Sequence, residues 1–110
     1  LLEPSGAKSL NVKFFIGQQI EHKRFNYRGL IYDVDSEFRG TEEWYQKMAT
    51  SLPPKNEPWY HVLVHGADHT TYVAEQNLAA YKGKEFIDHP LLPNFFNGFS
   101  SGAYSPTNKQ

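Results

Sequence analysis

The chain has 110 residues, of which 39% are hydrophobic, 15% aromatic and 21% charged. That suffices for one modest core, since folding at this size removes roughly two thirds of the surface an unfolded chain exposes. Eleven Lys and Arg against twelve Asp and Glu leave a formal net charge of −1, which excludes a globally basic nucleic-acid binder and confines any anion site to a local cluster. Cysteine is absent, so disulfides, thiolate metal sites and cysteine nucleophiles are excluded.

Residues 1–12 carry Pro, Ser and Gly without clear periodicity and are set apart as a linker or processed end, leaving residues 13–104 as the folded domain and 105–110 as a frayed tail. Residues 14–35 hold two apolar runs separated by a polar, glycine-bearing stretch, which predicts two strands and a turn. Ile20 and His22 share one face of the first strand; Leu30, Tyr32 and Val34 share a face of the second, with Ile31 opposite. Gly29, with no Cβ, suits a bulge or sharp twist where the chain re-enters the sheet. Residues 41–50 predict a short helix, with Thr41 as N-cap, Glu42 and Glu43 at the positive end of the dipole, and Trp44, Tyr45 and Met48 at helical spacing. A proline-rich connector at 51–58 ends it.

The aromatic and β-branched run 59–64 predicts a strand buried on both faces. Residues 65–69 turn, 70–74 return as a hairpin partner, and 77–81 add a last short strand. After Asp88, either Asp88 or His89 caps a second helix with Pro90 at its first turn; Leu91, Leu92, Phe95, Phe96 and Phe99 form its apolar face, and Gly98 and Gly102 end it. Four or five short strands with one inserted helix fit a small curled sheet that closes, or nearly closes, to remove its edges.

Three blocks, GQQIEHKRFNYRGLIYDVD (17–35), PWYHVLVHGADHTTYVAEQNL (58–78) and IDHPLLPNFFNGFSSGAY (87–104), resemble the YccV-like family of hemimethylated-DNA-binding proteins, whose bacterial members include the heat-shock HspQ type. The middle block is the most specific. The resemblance implies a mainly β fold: a small SH3-like β-barrel of about five short strands, one inserted helix and a C-terminal helical segment, without a catalytic centre or cofactor. It also implies three kinds of activity: binding hemimethylated DNA near replication origins, acting as a heat-inducible specificity factor for ATP-dependent proteases, and serving as a substrate-binding module in larger degradation proteins. Self-association fits the same resemblance. With no apolar run long enough to span a bilayer and no leader pattern at the start, a cytoplasmic location without a membrane partner is expected.

Lys23, Arg24 and Arg28 form the local cationic cluster, with His22, Asn26, Phe25 and Tyr27 interleaved. This is the candidate nucleic-acid contact: Lys23, Arg24 and Arg28 on phosphates, Asn26 or Tyr27 at base edges, since an asparagine amide matches adenine N6 and N7 in the major groove. The plain alternative is a solvated turn, and Asp33, Asp35, Glu37, Glu42 and Glu43 oppose DNA if they share that face. The four-residue spacing of His61, His65 and His69, with Asp68, suggests a metal only on a helix; across a strand and a turn these groups need not converge, and no metal is expected. Asp33 and Asp35 fit a solvated strand edge better than an acid–base pair. Trp59, Phe95, Phe96 and Phe99 are the candidate protein-partner residues, and Tyr60 and Tyr72 are assigned to the core.

Overall fold

The computed structural model describes residues 12–107. Seven strands and two short helices follow in order: β1 (Gln19–His22), β2 (Arg28–Asp35), α1 (Glu42–Met48), β3 (Trp59–Val64), β4 (Thr70–Ala74), β5 (Leu78–Ala80), α2 (Leu92–Phe95), β6 (Phe96–Ser100) and β7 (Ala103–Pro106), with a 3₁₀ turn at Glu75–Asn77 between β4 and β5. An antiparallel five-stranded sheet has the order β4-β3-β2-β1-β5, and β6 and β7 form a separate two-stranded ribbon. No ladder joins β4 to β5 among the described residues, so the fold is mainly β, as expected, with a five-stranded sheet that does not close into a barrel and has two edges. None of the described helices is long and apolar enough to cross a membrane.

Burial on both faces explains the aromatic density of β3. Ile20, Ile31, Tyr60, Val62, Val73 and Leu78 pack on one face with Phe14, while Leu30 and Leu63 pack on the other against Ile87, Phe96 and Tyr104. A third cluster joins Trp59 and Ala74 to Tyr45 of α1. Within β2 the simple alternation fails: the register slips between Ile31 and Asp33. Leu30 and Tyr32 therefore serve one face, whereas Val34 packs on the Ile31 side. The irregularity lies beyond Gly29, whose own requirement is close approach: a Cβ there would lie 2.4 Å from Val62 Cγ1.

The α1 start follows its capping residue, since the Thr41 hydroxyl accepts from the Trp44 N–H at 3.1 Å. The connector is latched to α1 and to β3: Tyr45 Oη donates to the Pro53 carbonyl and the Trp59 indole N–H to the Pro54 carbonyl. Trp59, expected to be a partner contact, is 1% exposed and packs in the core with Tyr45 and Ala74.

The C-terminal helix is limited to one turn. Leu91 stands at its N-cap without a side-chain cap bond, Pro93 lies in the first turn, and at Phe96 the backbone becomes extended (φ −135°, ψ 147°). Ser101 (φ 51°) and Gly102 (φ 88°) both occupy the left-handed region, giving the two-residue turn that joins Ser100 to Ala103 in the ribbon. Phe96 faces the core, and Phe95 and Phe99 lean on the same cluster half-buried, so the expected helical partner face becomes cover for the sheet. The fold also passes the expected boundary at 104: β7 includes Ser105 and Pro106, and Thr107 N–H donates to the Phe95 carbonyl at 2.8 Å. The expectations for residues 1–11 and 108–110 lie outside the described residues.

Candidate nucleic-acid interface

The β1–β2 connection is a tight turn organised by a buried histidine. His22 N–H donates to the Tyr27 carbonyl and Asn26 N–H to the His22 carbonyl, while His22 Nδ1 accepts from both Arg24 N–H and Phe25 N–H at 3.1 Å. The ring stacks on Phe25 at 4.7 Å and lies 5.1 Å from Tyr27. Burial, reinforced by the Arg24 charge, holds the His22 imidazole below its ordinary value, favouring the neutral acceptor form that these bonds require. Tyr27 Oη lies 2.7 Å from Thr71 Oγ1, tying the turn to β4. Asn26, at φ 55°, occupies the left-handed region that asparagine tolerates better than most residues.

On this scaffold Lys23, Arg24, Phe25 and Asn26 are exposed, and Lys23 N–H is fixed to the Asn77 carbonyl. The turn therefore presents two cations and an amide on a held backbone. Arg28 does not join them. Its guanidinium donates to Gln19 Oε1 at 2.7 Å and to the Glu85 and Phe86 carbonyls at 3.3 and 3.1 Å, lies 3.0 Å from His65 Nε2, and sits 4.7 Å over the Tyr81 ring. Gln19 is buried and in turn donates to the Glu85 and Gly102 carbonyls. The expected three-cation cluster is thus two exposed cations and one structural clamp.

Two of the five acids named as obstacles, Asp33 and Asp35, lie away from the turn. Asp33 and Asp35 sit near the far end of β2, about 15 Å or more along the strand from Arg28 at ~3.3 Å per residue. Glu42 and Glu43 begin α1, where Glu42 pairs with Lys55.

The three spaced histidines are separated. His65 Nδ1 accepts from Asp88 N–H, and His69 offers only its carbonyl to His89 Nε2. His61 instead meets Asp33 and Asp35, the three offering ligand atoms within 4.8 Å of one another, a set that can hold a divalent cation. Within that set Asp35 already accepts from Tyr72 Oη at 2.7 Å and contacts His61 Nε2 at 3.0 Å. Burial pushes the Asp35 carboxyl up, but these hydrogen bonds and the charges of His61 and Arg39 outweigh it and hold the group below its ordinary value. Tyr72, assigned to packing from sequence, is half-buried and bonded to Asp35.

A groove of about 370 Å³ lies beside the turn, lined by Arg24, Phe25 and Tyr27, by residues of β4, and by Trp44, Met48 and Pro53, whose part in it sequence reasoning missed. A family model described as hemimethylated DNA-binding protein YccV like matches residues 12–103.

Proposed function

The chain belongs to the YccV-like family, and from that premise we propose that it binds hemimethylated duplex DNA through the β1–β2 turn. Lys23 and Arg24 contact phosphates, and Asn26 reaches a base edge in the major groove, where an N6-methyl mark on adenine lies. Tyr27 supports the turn from Thr71. The observation that carries this reading, beside the family itself, is the exposure of Lys23, Arg24 and Asn26 on a backbone held by His22. Duplex DNA rewards such a held, local cationic feature even on a protein of neutral balance, because each phosphate contact releases counterions.

Two phosphate contacts give a log–log salt slope of about −1.8, so affinity falls about twelvefold between 50 and 200 mM salt. Fluorescence anisotropy of a short duplex methylated on adenine in one, both or neither strand, titrated at both salt concentrations, tests this reading. Preference for the hemimethylated duplex with that slope supports it. Weak binding indifferent to methylation transfers the role to the family's other activity, presenting proteins to an ATP-dependent protease.

A further inference from the structure

The β3–β4 ladder fixes which backbone groups of β4 have no place in the sheet. Glu75 N–H donates to the Pro58 carbonyl and Val64 N–H to the His69 carbonyl, bracketing a register that runs from Trp59↔Ala74 to Leu63↔Thr70. In an antiparallel pair, bonded and non-bonded residue pairs alternate. Val73 and Thr71 therefore bond to β3, while the N–H groups of Thr70, Tyr72 and Ala74 point away from it. On the other side of β3, His65 N–H donates to the Arg28 carbonyl, which assigns Leu63 to β2 and agrees with this phase. Among the described residues those three outward N–H groups have no acceptor. Ala74 is only 3% exposed, and a buried N–H without an acceptor is rare in folded proteins.

These groups lie in the groove, which Thr70, Tyr72 and Ala74 line together with Thr71 and Val73. Exposed edges are usually blunted by charge, proline, a bulge or a covering element. The sequence of β4, TTYVA, has neither charge nor proline, and its register with β3 is unbroken. Outward groups repeating every second residue, about 6.8 Å apart, match the backbone of another extended chain. The groove lining contains Arg24 and no carboxylate, so its charge complement is acidic.

We propose that the outer edge of β4 captures an extended peptide segment of another protein, which adds to the sheet as a further strand and places a carboxylate beside Arg24. Its ladder-facing residues supply backbone acceptors to Thr70, Tyr72 and Ala74, and β-branched or aromatic side chains fill the space between Trp44 and Tyr27. This site goes beyond the DNA reading and does not depend on it.

The test is selection from a randomised hexapeptide pool with the full chain as bait, followed by amide hydrogen exchange with the enriched peptides. The expected peptides combine β-branched or aromatic residues with Asp or Glu, and slow exchange of the Tyr72 and Ala74 amides at least about tenfold. N-methylating the peptide amides that face β4 weakens binding about tenfold per lost bond, whereas N-methylating the intervening amides leaves it within about twofold. Thr70→Pro removes one outward donor without touching the β3 ladder and weakens the peptide about tenfold, with duplex-DNA affinity unchanged. The N-methyl pair tests the same ladder on the unaltered protein. No enrichment, protection of other amides, or equal loss in both N-methyl registers overturns the proposal. So does slowing of the same amides by duplex DNA, or by a second copy in a dimer detected by sedimentation.

Discussion

Arg24 and Arg28 stand four residues apart in one basic run, and the fold uses them in opposite ways. Arg24 projects from the turn, its guanidinium 5.8 Å from the Phe25 ring centroid. Arg28, the first residue of β2, reaches across β1 to the segment after β5, where it joins Gln19, two carbonyls, His65 and Tyr81. A guanidinium engaged on so many sides is not free to recruit a phosphate, whereas one on a solvent-facing turn is. Local cationic density in a sequence therefore overstates the number of contacts available to DNA.

Removing the clamp has the largest expected effect on folding. Arg28→Ala leaves Gln19 Oε1 without its donor in a buried setting and costs about 2 kcal/mol. Urea unfolding checks this as a lower midpoint at unchanged slope, and the folded variant binds duplex DNA within about twofold of the parent. A large loss of DNA affinity at unchanged stability would reverse the assignments of the two arginines.

The turn itself supplies a smaller, pH-dependent effect. His22 titrates below its ordinary value near 6.5, chiefly through burial and then through Arg24, so the unfolded chain takes up the proton first. The stability it contributes is complete above pH 6.5 and is lost as the pH falls from there through the lower folded value. Protonation at Nδ1 also removes the acceptor for Arg24 N–H and Phe25 N–H. His22→Asn keeps a short acceptor but cannot titrate, so unfolding midpoints measured from pH 7.5 to 5 should fall less steeply than in the parent. Parallel curves would remove His22 from that role.

Smaller still is the effect at Asn26. Asn26→Ala costs about 1 kcal/mol, because alanine is disfavoured at φ 55°, while Asn26→Gly stays within about 0.5 kcal/mol. Both variants lose the side-chain amide, so both should lose preference for the hemimethylated duplex while keeping the salt slope. Retained preference would assign base reading to another residue.

Much of the scaffold is legible in the sequence because its signals are local. The Thr41 cap, the alternation of Ile20 and His22, the buried run of β3 and its hairpin to β4 all follow from residues close in the chain. The C-terminal ribbon is not, since Leu91, Leu92, Phe95, Phe96 and Phe99 satisfy helical spacing equally well; the deciding signal is Ser101-Gly102, a two-residue turn with both φ positive. The slip in β2 moves Val34 to the opposite face from its expected partners without any glycine at the site. Within the site, the exposed turn is legible, but the fate of Arg28 depends on carbonyls 57 and 58 residues away. The burial of Trp59 likewise depends on a connector whose prolines mark only a break.

The most direct test of the DNA reading is a titration of the hemimethylated duplex with the double variant Lys23→Glu/Arg24→Glu beside Arg28→Ala, each shown to be folded under the assay conditions. We predict that the double reversal reduces affinity at least about thirtyfold, from two lost phosphate contacts and added repulsion, while Arg28→Ala retains it. Unchanged affinity in the double reversal would contradict the proposed interface.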